Sequence, residues 1–574
     1  TGLERLKEYI TEQNLSFAEA MEVVRSSSLF TTHTPVPAGH DAFSENMLRT
    51  YISHYADRLK ISWEQLLGLG KINVADPNEK FSMSFLAANL SQEVNGVSWL
   101  HGKVSQRMFA PVWKGYFPDE LHVGYVTNGV HMPTWASTEW KRFFAEHFDK
   151  KFFKDQSNKK YWEAIQNVAD EEIWSIRKTL KNKLITYIKN QYKTNWLKNQ
   201  GDPAKVVSIL DKINPNALLI GFGRRFATYK RAHLLFTDLD RLAKIVNNEQ
   251  YPIQFVFTGK AHPADGGGQG LIKHIVEISR RPEFLGKIIF LENYDMRLAR
   301  HLIAGVDVWL NTPTRPLEAS GTSGEKAEMN GVLNFSVLDG WWYEGYKQGA
   351  GWALTDKRTY ENQQYQDQLD AATIYHILET EIIPTYYARN SKGYSPEWIQ
   401  YIKNSMSEIA PDYTMKRMLD DYIDRFYNKL ATRSAHLHEN GFAEAKAIAA
   451  WKEEVAEHWD SFQVESFTCS QDLAIDGPVV GKEYNFNLVI DRHELKGMLG
   501  VEMVVTKENP DNHQLELLVT EQFKLIKEEG SKLFFELKTA SSEAGLHKMG
   551  FRVYPVNKEL PHRMDFAFVR WIQL

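Results

Sequence analysis

Apolar positions recur every three or four residues at the start of the chain, where Leu3, Leu6 and Ile10 share one helical face. Ser16 stands ahead of a second run, FAEAMEVV, so residues 1 to about 30 are predicted to be helical. FTTHTPVPAGHDAF then breaks the period with Pro35, Pro37 and Gly39 and reads as loop. Short apolar runs between about Ser91 and Trp135 carry two Asn-Gly pairs, Asn95-Gly96 and Asn128-Gly129, which predict tight turns. From about 150 to 200 the pattern is long, charged and helical.

From about residue 217 the period shortens. ALLIGF, IQFVFTG, KIIFLENY, VDVWLNT and VLNFSVL are brief β-rich runs, separated by helix-like stretches such as RAHLLFTDLDRLAKIV. This alternation predicts right-handed βαβ units and a parallel, doubly wound α/β sheet. ADGGGQG, Ala264 to Gly270, lacks the dinucleotide spacing and reads as a mobile loop. Residues from about 370 to 460 return to helix. In TMKRMLDDYIDRFYNKL, Met415, Met418, Leu419, Tyr422, Ile423 and Phe426 form one apolar stripe behind a Thr414 cap, as a helix packed on a core requires. Beyond it, NFNLVI, GVEMVVT, QLELLV, KLFFELK, GFRVYPV and FAFVRWI alternate like strands and predict a separate antiparallel β-sandwich. Its aromatics Phe534, Phe535, Tyr554 and Trp571 suit a core as well as a sugar-stacking face, and a structural or interface role is the preferred reading.

Composition narrows the class. At 574 residues the chain exceeds one core and is expected to form two to four domains. Its 68 Lys plus Arg against 73 Asp plus Glu leave a net charge of −5, without the basic footprint of a dedicated nucleic-acid binder. No stretch of about 18 apolar residues predicts a membrane span. The single cysteine, Cys469, excludes intrachain disulfides and cysteine-cluster metal sites and suits a reducing cytosol. No metal site is expected, and the expected location is cytoplasmic. The first residue is Thr1 and no secretory pattern follows it, so the chain is read as beginning inside a longer protein.

Chemistry concentrates in RPLEASGTSGEKAEMNGVLNFSVLDGWW, Arg315 to Trp342, which follows a predicted strand and opens with small residues. Backbone N–H groups at such a helix start form an anion site. Ser323 is expected to cap that helix, which places Lys326 in its first turn, at the electrostatically unfavourable end. Two readings stand: the ammonium points to solvent, or it carries an aldehyde cofactor whose phosphate occupies the anion site. A second cluster, GFGRRFATYKR, brings Arg224, Arg225 and Lys230 to the end of another strand, where doubly wound sheets bind ligands. Surface cations serve solubility, and phosphate binding is the reading this position favours.

EASGTSGEK resembles the pyridoxal-phosphate-lysine motif of the α-glucan (glycogen, starch, maltodextrin) phosphorylases, and the match continues through MNGVLNFSVLDG. FTTHTPVPAG, VNGVSWLHG, YVTNGVHMPTW, GRRFATYKR, FTGKAHP and ENYDMRLA follow in the family's order, so the resemblance spans about residues 28 to 342. Its wording is closest to the shorter bacterial branch. The resemblance implies a GT-B-like, two-Rossmann architecture. Residues 1–140 would be the remainder of an N-terminal Rossmann-like lobe and 141–390 the C-terminal lobe with the cofactor and phosphate sites. Residues 391–460 would be a helical region crossing back to the first lobe, and 461–574 the β-sandwich.

Position by position, the resemblance implies that Lys326 carries pyridoxal 5′-phosphate as a Schiff base. Thr322, Ser323 and Arg224 would hold the cofactor phosphate, and Trp135 and Tyr294 would flank the cofactor. Arg225 and Lys230 would bind the substrate phosphate, with Tyr229 beside them. Glu318, Ala319, Ser320, Gly321 and Asn128 would grip sugar hydroxyls, and His33 matches a histidine whose backbone carbonyl faces that sugar. The implied reaction is reversible phosphorolysis of a terminal α-1,4-linked glucose to α-glucose 1-phosphate with retention. The coenzyme's phosphate would relay a proton to orthophosphate, which needs a cationic clamp on two dianions. The implied partners are an α-glucan and orthophosphate or glucose 1-phosphate, with no nucleic acid or membrane, and a homodimer.

Three positions depart from the animal and plant enzymes, which have Lys at Arg224, Asn-Met at Gly324-Glu325 and His at Ala227. None removes a charge that the mechanism needs. Family members also carry a few hundred residues ahead of the counterpart of Thr1, including a glycine loop at the cofactor phosphate, so this chain alone is expected to be a poor catalyst. Retaining glycogen and starch synthases place a second Glu eight residues after the first. Here that position is Lys326, which disfavours a nucleotide-sugar glycosyltransferase. A non-catalytic glycan-binding or scaffold protein of the same fold is the other alternative.

Overall fold

A computed structural model describes residues 1–198, 202–470, 480–510, 513–540, 545 and 547–572. The opening period produces two helices, Gly2–Glu12 and Phe17–Ser26. A capping box starts the second: Glu19 N–H donates to Ser16 Oγ at 3.2 Å and Ser16 N–H donates to the Glu19 carboxylate at 2.8 Å. These helices lead into a parallel three-stranded sheet of β1 (Leu29–Thr31), β2 (Glu93–Gly96) and β3 (Val123–Tyr125), in that order.

Neither Asn-Gly pair makes the tight turn its sequence predicts. Asn95-Gly96 ends β2, and the glycine is needed for close approach, because a Cβ there would lie 2.8 Å from the Gly102 nitrogen of the next helix. Asn128-Gly129 lies against the helical region: Val130 N–H donates to Tyr413 O at 2.8 Å and Met415 N–H to Val130 O at 2.9 Å.

The second sheet is parallel throughout and has six strands: β4 (Leu218–Gly223), β5 (Ile253–Thr258), β6 (Ile288–Leu291), β7 (Val308–Asn311), β8 (Leu333–Val337) and β9 (Trp352–Leu354). Their spatial order is β9-β8-β7-β4-β5-β6. Every residue of β4, β5, β7 and β8 is buried, which explains continuous apolar runs rather than alternation. The chain runs outward from β4 to β6 and returns to β7 on the other side of β4. A crevice for a ligand therefore opens between the carboxyl ends of β4 and β7. Residue 352 begins a sixth strand that the sequence pattern did not signal, being only three residues long.

Two helical expectations change. ADGGGQG is not a loop: Asp265 Oδ1 accepts from Gly268 N–H at 2.9 Å and starts the helix Gly266–Ser279 in spite of its glycines. The stripe behind Thr414 is only half covered. Tyr422 and Phe426 are buried, whereas Leu419 and Ile423 are 43% and 41% exposed. The helices beyond it supply Leu437, Ala445 and Ile448 to the core formed by Leu6, Val23 and Leu66.

Among the described residues, eight strands follow. β10 (Gln463–Cys469), β11 (Glu483–Asp491), β15 (Lys532–Ala540) and β14 (Lys524–Glu529) form one antiparallel sheet in that order. β13 (Leu515–Gln522), β12 (Met498–Glu508), β16 (His547–Val556) and β17 (Arg570–Trp571) form the other. One apolar core draws on both sheets, with Phe486, Leu488, Val501, Phe535 and Phe551. FAFVRWI contributes only the two-residue β17, because a short 3₁₀ turn, Arg563–Phe566, occupies the chain just before it. Phe535 and Tyr554 are buried, and Trp571 Nε1 donates to Gly115 O at 3.2 Å. Arg552, fully buried, donates to Glu502 at 2.7 Å and to Glu120 at 3.0 Å, tying these sheets to the first part of the chain. No helix among the described residues is long and apolar enough to cross a membrane.

Candidate functional site

The crevice at the switch of strand order is built by two loops locked together. Arg231 is buried and donates to Thr312 O at 3.0 Å and Pro313 O at 2.7 Å, while Asp370 and Asp367 hold its other end at 2.7 and 3.0 Å. Thr314 N–H donates to Tyr229 O at 2.7 Å. The loop after β4 and the loop after β7 therefore move as one, and each delivers charged side chains to the same cavity of about 360 Å³.

From the first loop come Arg224, Arg225, Tyr229 and Lys230, which all line the cavity. Lys230 is buried on the 3₁₀ turn Thr228–Lys230, with its ammonium 4.6 Å from the centre of the Tyr229 ring. Burial first, and the nearby Arg224 second, push the Lys230 pKa down to about 8, and Glu318 opposes them. Arg225 is exposed. From the second loop comes Glu318, buried, whose Oε2 accepts from both Arg224 Nη2 at 2.9 Å and Lys230 Nζ at 2.5 Å. Burial raises the Glu318 pKa, but the two cations outweigh it and hold the group below its ordinary value. Arg224 keeps Nε and Nη1 buried without a hydrogen-bond partner among the described residues. Such groups forgo about 1–3 kcal/mol each, more when charged, which an anion at this point would restore.

Ala319, Ser320, Gly321, Thr322, Ser323 and Lys326 continue the wall. Gly321 has φ +86° and serves as N-cap of the helix Thr322–Glu328, a conformation that favours glycine. Ser323 is not the cap: it is already inside the helix, and its Oγ accepts from Trp309 Nε1 at 3.2 Å. Lys326 consequently lies in the last turn of this short helix, where a cation is favourable, and not in the first turn as its spacing from Ser323 suggested. Its Nζ stands 4.1 Å from the centre of the Trp135 ring. Burial is the main cause that lowers its pKa, so the neutral, nucleophilic amine is more accessible than on a surface lysine. Tyr294 lines the same space, with its hydroxyl pKa raised by burial, and His33 and Thr34 close it from the first sheet's side of the chain. Asn128 is not brought to the lining; Arg417 Nη2 donates to its carbonyl at 3.0 Å.

Four buried groups supporting the site were not assigned from the sequence. Asp339 accepts from Glu318 N–H at 2.9 Å and Gly340 N–H at 2.8 Å, fixing the loop that carries Glu318; burial raises its pKa to about 8. Asn330 donates to Trp135 O at 2.9 Å and so positions the indole beside Lys326. Glu325 is fully buried, neither carboxylate oxygen has a partner among the described residues, and burial raises its pKa well above the ordinary value. Glu328 accepts from Asn334 Nδ2 at 2.7 Å and pairs with Ser405. The only sequence signal for them was polar residues inside an otherwise apolar strand–helix unit.

Burial raises the Glu328 pKa from 4.5 to about 8. The folded chain keeps the proton that the unfolded chain loses above its ordinary pKa, so stability declines as pH rises from about 4.5 toward about 8. Glu328→Gln can donate to Ser405 and accept from Asn334 without titrating. Its unfolding free energy, followed by denaturant melts across this range, is expected to fall less steeply than the parent's by about 1.4 kcal/mol per pH unit. Parallel slopes would contradict the assignment.

An amine under an indole, next to an arginine and a lysine that share one buried carboxylate at the switch point of a parallel sheet, defines an α/β protein with a lysine-bearing cleft lined by cations. The sequence profile of the carbohydrate phosphorylases matches residues 2–345, and that of the glycogen phosphorylase C-terminal domain matches residues 459–573. The chain belongs to the carbohydrate phosphorylase family. Maltodextrin phosphorylase of Thermococcus litoralis is 37% identical over 98% of this chain and 64% of its own length. Glycogen phosphorylase of Aquifex aeolicus is 41% identical over 73% of the chain and 60% of its own. That of Mycobacterium tuberculosis is 37% identical over 81% and 54%. The chain thus spans between about half and two thirds of these relatives.

Proposed function

We propose that the chain carries the cofactor and phosphate sites of a cytoplasmic α-1,4-glucan phosphorylase that cleaves a terminal glucose with orthophosphate. The observation that carries this reading is the convergence of Arg224, Arg225 and Lys230 on the cavity that also holds Lys326. The residues suit pyridoxal 5′-phosphate: a desolvated amine beside an indole, and an arginine with two buried nitrogens that have no partner among the described residues. Bound on Lys326, between Trp135 and Tyr294, the coenzyme would supply a phosphate group able to exchange a proton with orthophosphate. On this reading Arg224, Thr322 and Ser323 hold that phosphate.

Arg225 and Lys230 hold orthophosphate, offering a planar fork and a compact charge. They offset the repulsion of two dianions in a cleft of low dielectric. Orthophosphate protonates the glycosidic oxygen and its own oxygen takes C1, giving glucose 1-phosphate and a glucan shorter by one unit. Glu318 engages Arg224 and Lys230 through Oε2, which leaves Oε1 for a sugar hydroxyl alongside Ala319, Ser320 and Gly321. The two parallel sheets are read as the lobes of a GT-B-like architecture, residues 1–140 and 141–390. Residues 391–460 return to the first lobe and 461–574 form an accessory β-sandwich.

The test is release of glucose 1-phosphate from maltodextrin by the full-length gene product. Release that depends strictly on orthophosphate is expected. Glucan binding without such release, or transfer from a nucleotide sugar, would contradict the proposal.

A further inference from the structure

Outside this cleft, Glu93, His122 and His562 meet where the C-terminal segment crosses the first sheet. Glu93 opens β2 and His122 directly precedes β3; because Val94 pairs with Val123 in the parallel ladder, the two residues stand side by side. His122 Nε2 lies 2.6 Å from Glu93 Oε2. His562 arrives from the opposite end of the chain and stacks its ring on that of His122, with centroids 3.7 Å apart and an interplanar angle of 16°.

The bond that orients His562 is informative. Its Nε2 lies 2.7 Å from the Gln92 carbonyl, which can only accept, so Nε2 carries the hydrogen and Nδ1 of the neutral ring bears a free lone pair. That Nδ1 is buried and has no hydrogen-bond partner among the described residues. An imidazole that donates one N–H to a backbone carbonyl keeps its other nitrogen available as a ligand, as histidines around metal ions do, and a turn of the ring out of its stack on His122 would aim that lone pair at a shared ion. One carboxylate oxygen and two imidazole nitrogens, all within 4.8 Å of one another, form that set.

We propose that Glu93, His122 and His562 bind one divalent transition-metal ion of the zinc, cobalt or nickel class and thereby fasten the C-terminal segment to the first sheet. The donor set, two imidazoles and a carboxylate, suits these borderline ions rather than magnesium or calcium. A fourth position falls to water. Binding requires His122 Nε2 to give up its hydrogen bond to Glu93 and present its lone pair, the single N–H of the neutral ring then being on Nδ1. Two further charges bear on the site. Lys429 Nζ lies 2.7 Å from Glu93 Oε1 and opposes a cation; its side chain is 46% exposed and can swing into water. Asp565, three residues beyond His562, is already neutralised by Lys452 at 2.6 Å and Arg25 at 2.9 Å. Those pairs anchor the turn Arg563–Phe566 next to the site, so the metal completes a clamp whose ionic half is present.

Chelator-treated protein titrated with Co²⁺ is expected to develop a saturable visible spectrum at one equivalent per chain. Zn²⁺ should bleach that spectrum and raise the melting temperature. His562→Ala and His122→Gln should each lose the spectrum and the thermal shift; the second variant, whose side chain can still hydrogen-bond Glu93, guards against misfolding of the first. Lys429→Met should tighten Co²⁺ about tenfold by removing the opposing charge. No saturable spectrum in the parent would overturn the proposal. So would undiminished binding in both histidine variants, or unchanged or weakened binding in Lys429→Met.

Discussion

Lys230→Met is expected to lower kcat/KM for orthophosphate by about 10²–10³-fold while changing glucan affinity by less than about twofold. The lysine lines the cavity, is buried, and is one of two cations on the same Glu318 oxygen. Its loss leaves Glu318 paired with Arg224, so the loop that carries Glu318 keeps its support, while a phosphate bound as proposed would lose a charge at a buried point of the cleft. Initial rates with phosphate and maltodextrin varied independently separate the two effects. Equal losses for both substrates would count against a phosphate role and for simple disruption of the cleft.

The largest effect on stability is expected at Asp307, at the start of β7. Its carboxylate lies 2.5 Å from Lys181 Nζ with both side chains at most 4% exposed, and it accepts from Leu219 N–H at 2.9 Å. Lys181 also donates to Ala217 O at 2.9 Å and Tyr386 at 2.7 Å, and burial already lowers its pKa. Asp307→Ala strands that ammonium beside the buried Arg177 and should cost about 3–5 kcal/mol in denaturant melts. Removing both charges, Asp307→Leu with Lys181→Met, should recover most of the loss, because two matched apolar groups replace a pair whose desolvation was costly. A single variant that loses less than about 1 kcal/mol, or a double variant worse than the single, would contradict this.

The sequence carried its clearest message where one physical demand dominates. Strands buried on both faces are mostly apolar, with any polar residue hydrogen-bonded, so β4, β5, β7 and β8 stood out as predominantly apolar runs without alternation. The two charge-bearing segments after β4 and β7 were legible because small residues and cations cluster there at strand ends, and the structure brings them to one cavity. Where competing local demands exist, pattern failed. Asn95-Gly96 looks like a turn, yet its glycine is there to let a helix approach a strand. Ser323 looks like a cap, yet Gly321, at a positive φ, takes that position and moves Lys326 two residues further into the helix. Leu419 and Ile423 share a stripe with buried residues but remain exposed, since periodicity says which residues share a face and not what covers it. Asn128 has its main-chain carbonyl held by Arg417 from a distant helix, a contact of the backbone and not of the side-chain amide assigned to the sugar by resemblance. Pairings of that kind, like the meeting of His122 with His562, depend on which segments come together and leave no mark in local sequence.

The account rests on the amine of Lys326. Borohydride reduction of the native full-length protein, followed by peptide mapping, tests it most directly: a pyridoxyl group on the peptide containing Lys326, and on no other lysine, is the expected result. A protein that takes up no pyridoxyl label, or takes it up on a different lysine, would contradict the account.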